Sequence, residues 1–189
     1  MKVLDAGAYG VICPMVNNAR RAAEFVSYMR YPPLGQRSFG PTRVSFAAGA
    51  DYGAEANKEM LAFAMIETAE GMANLAAIAA TPGLDGLYAG PADLTLGLAQ
   101  GRLPPGFDRE ELELISALHD IGAACKANGI CAALHCGTPE YAARAVPWGF
   151  SMTTVSGDSR LLAAAAGASV AKFRTLIDQI PSTTESGDC

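Results

Sequence analysis

The chain has 189 residues, half of them hydrophobic, and a formal net charge of −5, which is one domain's worth of sequence with apolar material enough for a core. An acidic balance with no basic run excludes nucleic acid as an expected partner, no apolar run approaches the roughly 18 residues of a membrane span, and the first residues lack a signal-peptide pattern. Cys13, Cys125, Cys131, Cys136 and Cys189 form an odd set without a CxxC pair, which suits reduced thiols in a cytoplasm.

In chain order, Met1–Ala8 reads as the end of a helix with Gly7 as its cap. Tyr9–Val16 is the first strand. Ala19–Arg30 is an amphipathic helix, capped by Asn17 or Asn18, with Ala22, Phe25, Val26 and Met29 turned inward. Tyr31–Gly49 holds Pro32, Pro33, Gly35, Gly40 and Pro41 and reads as a long loop, a feature that is usually functional in a compact domain. Asp51–Glu59 is a short helix. Leu61–Ile66 is an apolar run of strand length. Thr68–Ala80 follows as a helix, with Met72, Leu75, Ile78 and Ala79 at helical spacing, and Thr81-Pro82-Gly83 breaks it.

Gly86–Ala89 is the next strand, and Gly90-Pro91-Ala92-Asp93 starts a turn. Leu94–Phe107 reads as a second long loop. Asp108–Asn128 is a helix with Leu112, Ile115, Leu118 and Ile121 as its stripe, ended by Gly129. Ile130–Leu134 is a strand, Thr138–Ala145 a short helix and Phe150–Val155 the last strand. Arg160–Ile180 is a long alanine-rich helix, and Pro181–Cys189 reads as a disordered tail. Five strands, each followed by a helix, imply a parallel α/β sheet over residues 1–180.

Within this pattern Glu67 and Asp93 each sit just past a strand, one strand–helix–strand repeat apart. They should lie at the carboxyl ends of neighbouring strands, where α/β folds place their chemistry. Two carboxylates there suit a hard divalent cation, Mg²⁺ or Mn²⁺. The plainer alternative is that both acids complement the helices that follow, worth about 0.3–1 kcal/mol each. Gly90–Asp93, at a helix start, offers backbone N–H groups to an anion. His135 ends a strand on the same face, whereas His119 lies inside a helix. Asp158 either reaches the site or caps the final helix.

The segment I-E-T-A-E-G-M-A-N from Ile66, followed by G-L-Y-A-G-P-A-D-L from Gly86, resembles the HpcH/HpaI aldolase/citrate lyase family. Arg30-Tyr31-Pro32-Pro33-Leu34-Gly35-Gln36-Arg37 is similar to the 4-hydroxy-2-oxo acid aldolases within it rather than to the citrate lyase or malyl-CoA lyase relatives. The likeness runs from about Leu4 to Arg174. It implies a (β/α)8 TIM barrel of the phosphoenolpyruvate/pyruvate type, a fold of eight units and about 250 residues. The five units here are then expected to be the C-terminal five-eighths, with three more belonging before Met1.

The resemblance further implies a metal-dependent aldolase that cleaves or forms 4-hydroxy-2-oxo acids through a metal-stabilised pyruvate enolate. No Schiff-base lysine is required, and Lys2, Lys58, Lys126 and Lys172 lie away from strand ends. Residue by residue it implies Glu67 and Asp93 as metal ligands and the amides of Gly90 and Ala92 on the substrate carboxylate. Asp5 would support a catalytic histidine that belongs upstream. Arg37, with Arg43 a lesser candidate, would shape the rim of the site. Met65 stands where many members carry glutamine, and a thioether cannot replace that hydrogen-bond donor near the substrate. The expected partners are a small oxo acid, an aldehyde and further copies of the chain, commonly as a hexamer. Two competing readings are a citrate lyase- or malyl-CoA lyase-like enzyme, and an inactive remnant or subunit that associates through exposed strand edges.

Overall fold

The computed structural model describes residues 1–180, so the expected tail lies outside the described residues. The chain divides into two units, Met1–Val155 and Ser156–Cys189. Among the described residues the first unit holds β1 (Gly10–Cys13), β2 (Leu61–Ile66), β3 (Gly86–Ala89), β4 (Cys131–Leu134) and β5 (Met152–Thr153). They form one sheet in the order β1-β2-β3-β4-β5, every pair parallel. α1 (Lys2–Asp5) precedes β1, and between the strands run α2 (Ala19–Met29), α3 (Thr42–Ala48), α4 (Tyr52–Glu59), α5 (Ala69–Ala73), α6 (Leu75–Ala79), α7 (Pro91–Ala99), α8 (Leu112–Asn128) and α9 (Pro139–Ala145). This is the architecture of consecutive β/α units of a TIM barrel.

Side chains alternate across the sheet. Ala62, Ala64 and Ile66, with Leu87, Ala89, Ala132 and Leu134, belong to the main core that also contains Ala22, Val26, Ile78, Leu118 and Ile121 from the helices. Phe63, Tyr88 and Ala133, with Ile12, Met65 and Cys131, form a smaller cluster of opposite parity. Glu67, Gly90 and His135 continue that second parity past the ends of β2, β3 and β4.

Four sequence expectations are corrected. Thr42–Ala48 is helical inside the supposed loop. The helix expected over Thr68–Ala80 is two short helices meeting at Asn74 (φ −103°, ψ 10°), whose side-chain amide donates to the Asn17 carbonyl at 2.9 Å. Pro91–Ala99 is also helical, because a proline in the first turn loses no helical hydrogen bond and presets φ. Asp108 does not start α8. Its carboxylate instead accepts from the Gly137 N–H at 2.8 Å and the Thr138 hydroxyl at 2.7 Å, and α8 begins only at Leu112. Leu112 is consequently 84% exposed, and Leu114 joins Leu118 and Ile121 in the core.

Arginines fasten the segments that lead into the strands. Arg30 donates to the Met60 carbonyl at 2.7 Å and to Asp85 at 3.0 Å, while Asp85 accepts the Ala62 N–H at 2.7 Å. That set joins the starts of β2 and β3. Arg37, 2% exposed, donates to Asp5 at 2.7 Å and to the Tyr52 hydroxyl at 2.9 Å. Its guanidinium lies 4.4 Å from the centre of the Tyr31 ring.

The second unit is described by α10 (Asp158–Asp178), a helix with no buried residue. Leu161, Leu162, Val170, Phe173, Leu176 and Ile177 are exposed along it. No helix among the described residues is long and apolar enough to cross a membrane.

Candidate active site

Three turns at the carboxyl ends of the strands hold Glu67 in place. The Met15 N–H, after β1, donates to Glu67 Oε1 at 2.7 Å. The Val16 N–H reaches the Met65 carbonyl at 3.3 Å. Thr68 caps α5 by accepting the Gly71 N–H at 2.9 Å and donates its hydroxyl to Asn17 Oδ1 at 2.6 Å. Met15 is in the left-handed region (φ 56°), rarely adopted by a residue with a side chain, and it presents its N–H to the carboxylate from there.

The other Glu67 oxygen lies against Gly90. A Cβ on Gly90 would stand 2.8 Å from Glu67 Oε2 and 3.0 Å from Met65 Sδ, so this position has no room for a side chain. The Gly90 N–H donates to the Ile66 carbonyl at 3.2 Å and so continues the β2–β3 ladder. The amide role expected of Gly90 is thus already taken, and its contribution is the missing Cβ. Ala92 lies in the first turn of α7, where helix geometry leaves N–H groups without a carbonyl of the helix itself.

Glu67 is 5% exposed and Asp93 is on the surface. Burial holds the Glu67 carboxyl above the usual carboxylate range; the Met15 N–H opposes this, and the charge of Asp93 adds to it. The two acids share a cavity of about 210 Å³ with Met65, Tyr88, Gly90, Pro91, Ala92, Phe107 and His135. A larger cavity of about 460 Å³, beside His119, Lys126 and Trp148, contains neither acid.

Two carboxylates supply the hard oxygen donors that Mg²⁺ or Mn²⁺ prefers. Among the described residues no group of three or more His, Cys, Asp or Glu could hold a metal by itself. A cation at Glu67 and Asp93 would therefore complete its shell with water and substrate oxygens, as Mg²⁺ commonly does. The residues present fit such an ion.

Of the residues expected from sequence, Met65, Glu67, Gly90, Ala92 and Asp93 are brought together. Asp5 and Arg37 are not among them. They pair with each other on segments that precede β1 and β2, at the opposite ends of the strands. Arg43 is exposed on α3, the His119 ring packs at a tilt against Trp148 with centroids 5.3 Å apart, and Asp158 opens α10. Lys2, Lys58, Lys126 and Lys172 all lie on helices.

Sequence reasoning missed Tyr88 and Phe107. Tyr88 could have been found by parity, two residues before Gly90 on the face that carries Glu67. Phe107 could not, because Asp108 brings it to the site through the bonds to Gly137 and Thr138.

The family model described as HpcH/HpaI aldolase/citrate lyase matches residues 1–165. A hydroxypyruvate/pyruvate aldolase of Rhizorhabdus wittichii is 40% identical over 176 residues, 93% of this chain and 69% of that protein. A 2-keto-3-deoxy-L-rhamnonate aldolase of Salmonella paratyphi B is 34% identical over 180 residues, 93% of this chain and 65% of that protein. The crystal structure of an HpcH/HpaI aldolase/citrate lyase family protein from Burkholderia cenocepacia J2315 superposes with a TM-score of 0.80 at 30% identity, covering 92% of this chain and 68% of that one. The chain thus spans about two thirds of the length of the relatives it matches.

Proposed function

The chain belongs to the HpcH/HpaI aldolase/citrate lyase family, and from that premise we propose that it is a divalent-metal-dependent carbon–carbon lyase that cleaves or forms 4-hydroxy-2-oxo acids with a pyruvate-like donor. The observation that carries this is the convergence of Glu67 and Asp93, from the ends of adjacent parallel strands, on one cavity. The names of the relatives support it, since both curated proteins are aldolases.

Glu67 and Asp93 would hold Mg²⁺ or Mn²⁺. When bound, the cation supplies Lewis-acid polarisation of the donor's carbonyl. Gly90, lacking a Cβ, lets Glu67 keep its position against the start of α7. The Ala92 N–H, in the first turn of α7, would donate to the carboxylate of the oxo acid, where the helix dipole favours an anion. Met65 provides an apolar wall in place of a hydrogen-bond donor, so the donor is oriented from the Gly90–Asp93 side.

A homo-oligomer is the expected working form, supported by the apolar side chains exposed along α10. A reducing cytoplasm is the expected compartment, supported by the free thiols of Cys13, Cys125, Cys131 and Cys136. The test is release of pyruvate from a 4-hydroxy-2-oxo acid, followed with lactate dehydrogenase and NADH, with and without Mn²⁺. Mn²⁺-dependent release that Asp93→Asn abolishes is the expected result. Release that is indifferent to both would overturn the reading.

A further inference from the structure

We propose that Phe107 selects the aldehyde half of the substrate, favouring one whose group beyond the carbonyl carbon is apolar, and that Asp108 is the positioning residue that carries Phe107 to the cavity. The proposal rests on the aldolase reading and deepens it by naming the class of aldehyde that the site takes.

The cavity has two unlike walls. Glu67, Gly90, Pro91, Ala92 and Asp93 form the first, which contains both acids and the start of α7. In the aldolase reading this wall holds the cation and the carboxylate of the oxo acid. Met65, Tyr88, Phe107 and His135 form the second. Met65 and Tyr88 are register partners on β2 and β3 and so belong to the sheet. Phe107 does not. It lies on the segment between α7 and α8 and packs on the His135 ring past the end of β4, with centroids 4.7 Å apart. Phe107 is thus the ring at the mouth, beyond the strand ends. A donor with its carboxylate at α7 and its carbonyl at the cation extends C3 away from both, toward this second wall. The aldehyde carbon bonds to C3, so the group it carries meets the phenyl ring.

A wall discriminates only if it stays in place, and the segment before α8 is pinned on both sides of Phe107. Asp108 has a left-handed backbone (φ 53°), which an L-residue adopts at a cost. From there its carboxylate accepts the Gly137 N–H at 2.8 Å and the Thr138 hydroxyl at 2.7 Å, at the start of α9. The next carbonyl, that of Arg109, accepts the Tyr141 hydroxyl at 2.6 Å. Glu110 pairs with Arg144 of α9, and Arg109 with Glu111. Nearer α7, Leu103 packs against the main core. These contacts tie the segment to α9 and the core before any substrate binds, so little ordering is left to oppose binding.

The two polar side chains of the second wall meet each other, with Tyr88 Oη 2.9 Å from His135 Nδ1. Phe107 has no polar atom to offer. A methyl group against its ring gains burial, whereas a hydroxyl in the same place gives up a hydrogen bond to water and receives none from the ring. Of two substrates alike in shape, the one that ends in a methyl group is therefore favoured. Two 4-hydroxy-2-oxo acids form such a pair. Cleavage of 4-hydroxy-2-oxohexanoate gives pyruvate and propanal, and cleavage of 4,5-dihydroxy-2-oxopentanoate gives pyruvate and glycolaldehyde. They differ by a methyl against a hydroxyl at the end away from the carboxylate.

The experiment uses the full chain with Mn²⁺ and takes the ratio of kcat/KM for the two acids, with the pyruvate formed followed by NMR. Calorimetric binding of oxalate with Mn²⁺ reports separately on the metal and donor site. The parent is expected to favour 4-hydroxy-2-oxohexanoate by about tenfold, within what an apolar pocket achieves against a hydroxyl. Phe107→Ala, which opens the mouth to water, and Phe107→Tyr, which puts a hydroxyl on the same ring, are both expected to bring the ratio down to about twofold or less, while oxalate binds as in the parent. Asp108→Ala is expected to lower the ratio in the same way. A variant that is merely less well folded loses both substrates alike and keeps the ratio. A parent ratio of one or below would overturn the proposal, and so would a parent-like ratio in a folded Phe107 variant. In either case pyruvate is still released and the aldolase reading stands. A parent-like ratio in Asp108→Ala would overturn the positioning role of Asp108. Release of no pyruvate from either acid would remove the proposal and the reading together.

Discussion

The two ends of the sheet are built in opposite ways. At the amino-terminal ends, charges are buried and paired. Arg30 donates to Asp85 and to the Met60 and Gly83 carbonyls, and Arg37 donates to Asp5 and Tyr52 beside the Tyr31 ring, with its Nε and Nη1 buried without a hydrogen-bond partner among the described residues. At the carboxyl ends, Glu67 is buried, burial and the charge of Asp93 push its carboxyl up, and the residue that donates to it has a left-handed backbone. In the first arrangement each buried guanidinium has an opposite charge beside it, so removing that partner is costly. The second costs stability and is what a bound cation would relieve. TIM barrels divide labour along the same axis, with stability at one face and chemistry at the other.

The largest effect should come from breaking the paired end. Asp5→Ala leaves the Arg37 guanidinium buried without its counter-ion. Removing one partner of a buried ion pair costs about 3–5 kcal/mol, which for a chain of this length lowers Tm on the order of 10 °C. Thermal unfolding followed by circular dichroism measures this. The resemblance implied a catalytic role for Asp5, and the same variant separates the two roles. A catalytic Asp5 would give a large fall in kcat with Tm unchanged.

Gly90→Ala strikes the other end. Its Cβ would meet Glu67 Oε2 at 2.8 Å and Met65 Sδ at 3.0 Å, so the carboxylate has to move. Overpacking of this kind costs about 1–3 kcal/mol, less than the Asp5 change, while Mn²⁺ affinity should fall by at least tenfold. Calorimetry on the folded variant reads the second effect. Unchanged affinity would mean that Glu67 is not a ligand in the observed position.

Glu67→Gln sharpens the contrast with a smaller effect. An acid whose folded pKa is raised binds its proton more tightly in the folded protein than in the unfolded chain. The stability this contributes is full below the unfolded value of about 4.3 and is lost as pH rises through the folded pKa. At neutral pH the ionised side chain therefore costs stability, and Gln avoids that cost. Metal-free Glu67→Gln should melt above the parent at pH 7, with the gap closing toward pH 4. Adding Mn²⁺ should reverse the order, because a ligand stabilises only the protein that binds it. A lower Tm for the metal-free variant at pH 7 would show that Glu67 is well satisfied as it stands.

These contrasts also explain what could be read from sequence. Glu67 and Asp93 were legible because each follows a short apolar run, and strand boundaries mark the carboxyl ends. Leu61–Ile66 and Gly86–Ala89 were found with their observed limits. Thr42–Ala48 and Pro91–Ala99 were not found, because prolines and glycines near them read as breaks although Pro91 in fact begins a helix. The Asp5–Arg37 pair spans 32 residues of sequence, and the Asp108 bonds to Gly137 and Thr138 span 29 and 30. No local pattern encodes such contacts. The resemblance supplied roles for Asp5 and Arg37 but not their mutual pairing, which only the folded chain displays.

The smallest effect should come from Met15→Gly, and it bears on what holds the strained end together. A left-handed backbone costs an L-residue about 1–2 kcal/mol, and glycine removes that cost. Glycine also loses more entropy on folding, about 0.5–1 kcal/mol. The Met15 side chain is 53% exposed, so little packing is lost with it. The two terms nearly cancel, and Tm should move by no more than a few degrees. The backbone N–H to Glu67 survives the change, so Mn²⁺ affinity should stay within about threefold, less than 1 kcal/mol. That result would mean that the carboxyl end is positioned by main chain, in contrast to the side-chain clamps at the other end. A tenfold loss of affinity with Tm unchanged would instead make the Met15 side chain part of the site, and both ends would then depend on side chains.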